Sequence, residues 1–467
     1  MPLTRVQIAH GLTLHGQQLA EGVMDRRAFR DLLDCKDTTF HSATKPLGGY
    51  EGDDGIPGSS FFEASDGKLK FGPGAGVVLG VSLGIANVRA ALFDANGDMH
   101  HETTLERMPK QMEVPPADLL RRIEEAATQV MVPALEDESL QVAGGKLRFR
   151  GVAVAWPCPL GRDKKPSGHF LHSAWAHLAL DQSVAKQLGL RRAMSHALND
   201  TYAGAIAVAF NHTRAPEHTE QDRPELTLVL RISGGISGST IVIEAPKGNE
   251  SGFARSILLG GVNSHAGEVG HASINPGLIA EITPKKSNGL GAPTPIWCSC
   301  THPSHQDPPS HLEAYAGRLA LANRIDSGRD AEDVIQDVLQ EPESKVHLRA
   351  LGDVGTMTGD VLRGAAAMLN PAKIVITGSL ALEPVRDAMN ERLEEEHRVS
   401  AHPQVVMLER DEDFIGAKGA ALAVIRRQVY RKFESLLAPP VNEIPQRLQS
   451  GQHVEDISTL PWKKRSQ

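Results

Sequence analysis

The chain has 467 residues, 40% hydrophobic and 23% charged, with a formal net charge of −8; this is ordinary for a globular protein and long enough for about three domains. Net negative charge argues against a protein that coats nucleic acid over its whole surface, and leaves room for one small DNA-reading domain. There is no apolar run of about 18 residues for a membrane span, Met1 to Val6 lacks the apolar core of a signal peptide, and four cysteines make no disulfide framework in a chain this size, so the expectation is a cytoplasmic protein with no membrane partner.

Residues 1–75 read as a separate unit. Val6 to Leu19 supplies a supporting helix. Met24 to Leu33, with Asp25 as N-cap, has apolar residues at Ala28, Phe29, Leu32 and Leu33, which is helical spacing. After Asp34-Cys35-Lys36, Asp37 caps a second helix over Thr38 to Thr44, which ends near Lys45-Pro46 because proline disfavours helix just before it. Two short helices joined by a tight turn are a helix-turn-helix. A Gly/Asp-rich segment, Gly48 to Ser60, leads into a hairpin, Phe61 to Ala64 and Lys68 to Phe71, with Asp66-Gly67 as its turn signal. Three helices and a hairpin make a winged helix. Its base-reading residues are expected to be Thr38, Thr39, His41, Ser42 and Lys45, with Arg26, Arg27 and Lys36 near phosphates. The acidic neighbours Asp31, Asp34 and Asp37 oppose this, and a helical appendage for dimerisation stands as the alternative.

A first α/β lobe is expected over residues 76–198. Val77 to Val81 reads as a buried strand ended by Ser82-Leu83-Gly84, and Val88 to Asp94 as its neighbour, with Asn96-Gly97 as a hairpin turn. Pro115-Pro116 opens a helix with apolar Leu119, Leu120, Ile123, Ala127 and Val130, and Arg148 to Ala155 is a further strand. A second lobe over residues 199–437 begins at Asn199-Asp200. Its strands are Leu226 to Ile232, Thr240 to Glu244, Lys373 to Thr377 and Val405 to Leu408, the first two around a Gly-rich turn, Ser233 to Gly238. Its helices are His311 to Arg324, Val354 to Met368 and Phe414 to Arg427. Residues 438–467, rich in Pro, Gln and Ser, read as a flexible tail.

Four soft or borderline metal ligands, His271, Cys298, Cys300 and His311, stand in Gly267-Glu268-Val269-Gly270-His271, in Cys298-Ser299-Cys300 and before Leu312-Glu313. Two thiolates and two imidazoles make a tetrahedral set of the kind zinc prefers. His302 and His305 lie in between, so the fourth ligand stays open. Buried thiols and loop histidines are the competing reading, because the two-residue gap usual between paired zinc cysteines is absent.

Glu-x-Gly-His, then Cys-x-Cys, then a ligand directly before Leu-Glu resembles the ROK family (repressors, open reading frames and sugar kinases), and the resemblance runs from Met24 to Arg427. It implies an α/β, two-lobed actin-like ATPase/sugar-kinase fold with the N-terminal winged helix-turn-helix of the family's repressors. It implies a structural zinc on His271, Cys298, Cys300 and the position of His311, where the family has a cysteine. It implies a sugar site at Asn199, Glu268, His271 and Glu313. Asp200 stands where the kinases keep the carboxylate that takes the sugar hydroxyl's proton. The nucleotide side departs from the family. The kinases open the first phosphate loop with Asp-x-Gly-Gly-Thr; this chain has Ser82-Leu83-Gly84-Ile85-Ala86. The second loop keeps Gly234, Gly235 and Gly238 but has Ser233, Ser237 and Ser239 among them, and the later Gly-Gly is Thr377-Gly378. Phosphoryl transfer rests on positioning and charge stabilisation with metal ions central, so losing the metal-organising carboxylate is a serious defect.

The expectation is therefore a sugar-responsive transcriptional regulator, binding operator DNA as a homodimer because helix-turn-helix proteins usually meet paired half-sites. The alternative is an ATP- and magnesium-dependent sugar kinase with an altered phosphate loop. A third class is an interaction protein that uses neither DNA nor ATP.

Overall fold

In the computed structural model, the described residues are 24–25, 62–65, 68–84, 87–106, 115–142, 146–161, 163–166, 175, 177–214, 225–243, 254–255, 267, 269–283, 290–296, 311–395, 403–408 and 413–425. The expected N-terminal helices and the tail lie outside them. A small N-terminal sheet has β3 (Lys68–Phe71) at its centre, between β1 (Met24–Asp25) and β2 (Phe62–Ser65). Ser65 pairs with Lys68, so β2 and β3 form the expected hairpin, with Asp66 and Gly67 alone between the strands. Met24 and Asp25 were expected to open a helix; instead they pair with Leu69 and Lys68 as a short strand, because β3 offers them its second edge.

Two five-stranded sheets follow, with the same strand order. In the first, β4 (Val77–Leu83), β5 (Asn87–Phe93) and β6 (Met99–Glu106) form an antiparallel meander. The short strands β7 (Gln141–Val142) and β8 (Lys146–Leu147) pair apart from it. On the far side of β4 run β9 (Phe149–Trp156) and then β10 (Ser195–Asn199), both parallel to it. In the second sheet β11 (Glu225–Ile232), β12 (Ile236–Ile243) and β13 (Ala254–Arg255) repeat the meander. There β14 (Lys373–Thr377) and β15 (Gln404–Met407) repeat the parallel pair. Every residue of β4 is buried, as its unbroken apolar run requires of a central strand covered on both faces.

One face of the first sheet is covered by α1 (Pro116–Ala134), whose Leu119, Leu120, Ile123, Ala127 and Val130 are all buried. A short helix, α2 (Leu180–Gln187), packs beside it. The other face meets α3 (Asp200–Arg214) and α10 (Ile415–Ile425), and their apolar residues form one cluster with side chains of both sheets. Chain order puts α10 in the second half, yet it lies on β4: a Cβ on Gly80 would overlap Ala417 O, and one on Gly419 would overlap Ala203 O of α3. The outer face of the second sheet is covered by α4 (Pro276–Ile282), α5 (Leu312–Ala316), α6 (Arg318–Ile325), α7 (Ala331–Gln340), α8 (Lys345–Leu369) and α9 (Glu383–Glu394). Ser344 caps α8, and Asn370 in the left-handed conformation ends it.

The structure corrects three expected boundaries. β4 continues through Ser82 and Leu83, because both pair with β5. The Gly-rich turn shrinks to Ser233–Gly235, since Ile236, Ser237 and Gly238 already pair with β11. The helix expected over His311 to Arg324 breaks at Gly317, which packs against Gly234 O and leaves α5 and α6 as separate helices.

The hairpin is fastened to the first lobe by side chains. Phe71 N–H donates to Asn96 Oδ1 at 3.0 Å, and Asn96 Nδ2 donates to Phe71 O at 2.8 Å. Arg148 Nη1 donates to Gly74 O at 2.7 Å and Arg150 Nε to Ala75 O at 2.8 Å. Burial, helped by neighbouring Arg148, pulls the Arg150 guanidinium down to about 9. Among the described residues, no helix is long and apolar enough to cross a membrane.

Candidate functional site

The start of β12 is where the predicted residues meet. Gly238 N–H donates to Gly267 O at 2.6 Å, and a Cβ on Gly270 would stand 2.5 Å from Ile236 O, so the segment leading to His271 lies directly on the strand. Gly267 has φ +95°, a conformation that suits glycine, and a side chain there would overlap Gly238 O. The Glu313 carboxylate sits against the same turn: its Oε2 is 2.8 Å from where a Cβ on Gly235 would be and 3.0 Å from that of Gly270. His311 is buried and bridges Ser273 backbone to backbone. Its ring and that of His271 have centroids 5.6 Å apart at 72°.

Asn199 and Asp200 reach the site from the junction of β10 and α3. Asn199 Oδ1 accepts from Tyr202 N–H at 3.1 Å and its Nδ2 donates to Cys158 O at 3.2 Å, which is the work of a helix cap. Asp200 is 8% exposed and its Oδ1 accepts from Thr201 N–H at 2.8 Å. The Thr201 and Ser237 hydroxyls are hydrogen-bonded, which ties the start of α3 to β12. Arg231 on β11 places Nε 3.6 Å from Asp200 Oδ2. Burial pushes the Asp200 carboxyl up, while Arg231 and the Thr201 hydrogen bonds pull it down. Asp200, His271 and Glu313 are thus gathered around the first residues of β12; Glu268 lies outside the described residues.

The predicted phosphate residues lie at the ends of the two central strands. Ser82 is buried, and Gly84 N–H closes a tight turn on Asn87 O at 2.8 Å, with Ile85 and Ala86 outside the described residues. A Cβ on Gly416, at the start of α10, would stand 2.5 Å from Ser82 Oγ and 3.7 Å from Arg231 Nη1. Gly378 has φ +96° and packs on Ile232 O, and the Ser233 and Ser379 hydroxyls are 3.3 Å apart. Three residues here escape a reading of motifs: Arg89, Arg231 and Arg318. For Arg89 and Arg231 the available signal was a lone cation in a mainly apolar strand, Asn87–Phe93 and Glu225–Ile232; Arg318, on α6, had none.

The ROK family model matches residues 78–427. The chain belongs to the ROK family. No curated protein matches it. Its fold is similar to that of a ROK family transcriptional regulator, a homologue of the E. coli MLC protein, at 14% identity and a TM-score of 0.55, over 93% of this chain and 98% of that one. It is also similar to a ROK family glucokinase from Streptomyces griseus in complex with glucose and AMPPNP, at 16% identity and a TM-score of 0.51, over 74% of this chain and 98% of that one. At these identities the likeness establishes the ROK fold, two α/β lobes with mixed sheets.

Of the ROK zinc positions, Cys298 and Cys300 lie outside the described residues, as do His302 and His305. Among the described residues no group of three or more His, Cys, Asp or Glu is placed to hold a metal. The two histidines that are described, His271 and His311, meet edge-on, ring to ring. The expected DNA-reading residues Thr38, Thr39, His41, Ser42 and Lys45 also lie outside the described residues.

Proposed function

We propose that this ROK protein is a sugar-responsive transcriptional regulator: a sugar binds between the lobes and sets the affinity of an N-terminal winged helix for operator DNA. The observation that carries this reading is the state of Asp200. In the kinases that carboxylate is there to take a proton; here Arg231 stands 3.6 Å away as its ion-pair partner. Across the cleft Ser82 occupies the place of the acid that would organise a metal ion and phosphates. The sugar side, by contrast, retains Asn199, Asp200, Glu268, His271 and Glu313, whose donors and acceptors suit a polyol. The likeness to the regulator, which extends over 93% of this chain against 74% for the glucokinase, supports the same reading.

The route from sugar to DNA runs through the cluster between the sheets. Phe71, the last residue of the hairpin, packs in that cluster together with residues of α3 and α10. A change in lobe closure shifts those helices and so reaches the hairpin. Its effect on DNA affinity is limited to the sugar's differential affinity for the two states. Thr38, Thr39, His41, Ser42 and Lys45 would read the operator, with the protein acting as a homodimer. A structural zinc on His271, Cys298, Cys300 and His311 would hold the sugar-side loop to α5, and when bound it supplies a fixed crosslink and no chemistry.

The test is a melting-temperature screen of the full-length protein with hexoses and amino sugars, coupled to phosphorylation assays with ATP and magnesium. A sugar-dependent shift without phosphorylation is the expected result, abolished in Asp200→Asn. Turnover of about one per second or faster, within the usual enzyme range, overturns it in favour of the kinase. Operator binding should weaken as salt rises, because phosphate contacts release counterions. Elemental analysis should find about one zinc per chain, as one four-ligand site implies, and the double substitution Cys298→Ser with Cys300→Ser should remove it.

A further inference from the structure

Two cations at the junction of the hairpin and the first lobe have no counterion among the described residues. β9 carries a bulge there: Val77 of β4 pairs with Phe149 and Val78 with Gly151, so Arg150 has no partner on β4. Such an extra residue bends a strand and re-aims a side chain. Gly151, next in line, has φ +143°, and a Cβ on it would overlap Met194 O. Arg150 lies against Gly76, whose Cβ would stand 2.9 Å from its Nε. Arg150 Nε donates to Ala75 O at 2.8 Å and its Nη2 to Gly74 O at 3.4 Å, while Arg148 Nη1 donates to the same Gly74 O at 2.7 Å. Two guanidiniums therefore share one carbonyl oxygen and stand side by side.

Carbonyl dipoles satisfy hydrogen bonds but cancel no charge. The other buried and half-buried arginines whose side chains are described each meet a carboxylate. Arg148 and Arg150 meet none among the described residues. Burial lowers both guanidiniums, Arg148 lowers Arg150 further, and no carboxylate raises either. A buried charge without a partner is costly, and buried charges are as a rule paired. The donors are not used up either. Arg148 Nε is buried with no hydrogen-bond partner among the described residues. Arg148 Nη2 and Arg150 Nη1 make no hydrogen bond to the described residues and reach solvent.

We infer that Arg148 and Arg150 form a binding site for a small divalent oxyanion of the phosphate or sulfate class, which seats on both guanidiniums and holds residues 72–76 to the first lobe. None of its residues belongs to the sugar site. A guanidinium fork matches two oxygens of such an anion through charge-assisted hydrogen bonds. Two uncompensated charges side by side favour a dianion over chloride, because attraction scales with the product of the charges. The bound anion removes the repulsion between the two cations and so tightens the attachment of the hairpin.

Urea unfolding of the full-length protein in phosphate, sulfate and chloride, at matched ionic strength, tests this. Phosphate and sulfate stabilise folded proteins in general by exclusion from their surfaces, so the readout is the difference between wild type and variant. Arg148→Gln should show a larger stability deficit in phosphate and sulfate than in chloride, and the extra deficit should saturate with anion concentration. A side chain that only clamps Gly74 gives the same deficit in all three salts. In calorimetry, Arg148→Gln should bind phosphate about tenfold or more weakly than wild type, the scale of one lost charge-assisted hydrogen bond. Arg148→Lys, which keeps the charge and loses the fork, should fall between the two. Arg150→Gln should behave like Arg148→Gln; Arg150 is the more deeply buried of the pair, and if its variant does not fold the two Arg148 variants decide. An equal deficit in all three salts, or an unchanged phosphate affinity in Arg148→Gln, overturns the inference. An Arg148-dependent response to random-sequence duplex DNA and not to free phosphate overturns it too, since the anion is then a nucleic-acid backbone. No saturable anion effect in wild type also overturns it, since a carboxylate of the chain itself then neutralises the pair.

Discussion

The first hairpins of the two lobes share a backbone plan and carry serine and arginine in opposite places. In the first lobe Ser82, one residue before the end of β4, faces Arg89 on β5; in the second Arg231, one residue before the end of β11, faces Ser237 on β12. Each hairpin thus sends one guanidinium into the space between the sheets. What the cation meets differs. Arg231 and Asp200 have side chains only 15% and 11% exposed, whereas Arg89 meets Asp413, which is 74% exposed. The same cross-strand Ser–Arg pair therefore carries an interior ion pair in one lobe and a solvent-facing one in the other. An interior pair is costly to break because the survivor stays buried and charged, and an exposed pair contributes little.

The sharpest way to break this comparison is Arg231→Ala. It should destabilise the protein by about 3 kcal/mol in urea unfolding, the scale for removing one partner of a buried pair. The pH dependence gives a second readout. Burial already raises the Asp200 carboxyl above its ordinary value, so the folded state binds that proton more readily than the unfolded chain, and ionising it costs stability as pH rises through the acidic range. Without Arg231 the carboxyl is pushed higher. The deficit should therefore grow from acid toward neutral pH, and a deficit that shrinks in that direction would contradict the assignment of Arg231 as the partner of Asp200.

The turn after β5 gives the first lobe a feature of its own. Asp94 Oδ1 accepts from the backbone N–H groups of Asn96 and Asp98 at 2.8 and 3.0 Å, and so sets Asn96 to hold Phe71. Asn96→Ala leaves both backbone groups of Phe71 without that partner and should cost about 2 kcal/mol. If the hairpin transmits lobe closure, the same variant should also uncouple DNA affinity from sugar while leaving sugar affinity in place.

Arg89→Ala should cost less than about 1 kcal/mol, because its carboxylate partner is exposed. A loss as large as that of Arg231→Ala would mean that the two slots are equivalent after all. The smallest effect belongs to His100, whose Nε2 is 3.3 Å from Asp94 Oδ2. Hydrogen bonding to Asp94 raises the His100 imidazole above its ordinary value of 6.5, against the opposing effect of burial. Its contribution is fully present below that ordinary value and is lost as pH rises through the raised one. His100→Gln should flatten that slope by about 0.3 kcal/mol between pH 6 and 8, read from paired urea midpoints.

Much of the fold was legible in residue order. β14 was read over its full span because a short apolar run between turn residues has few other uses, and α1 because its apolar residues recur at helical spacing. The β2–β3 hairpin followed from one Asp-Gly pair. β10 was not legible: Ser195-His196-Ala197-Leu198-Asn199 has no strand pattern of its own and is extended because it pairs in parallel with β9. The site divided in the same way. The motifs named Asp200, His271 and Glu313, and the structure brings them together around β12. No motif named Arg89, Arg231 or Arg318.

By itself, then, the sequence determined the family, the kinds of element, and the loss of an acid at Ser82, because each is written in adjacent residues. Tertiary structure alone decided that Asp200, at the start of α3, meets Arg231 on β11 and that the start of α10 lies over Ser82. It also decided which carboxylates stay in water. Those facts depend on which faces of distant strands turn toward each other and on how much water remains between them, and neither is a property of any local stretch of chain.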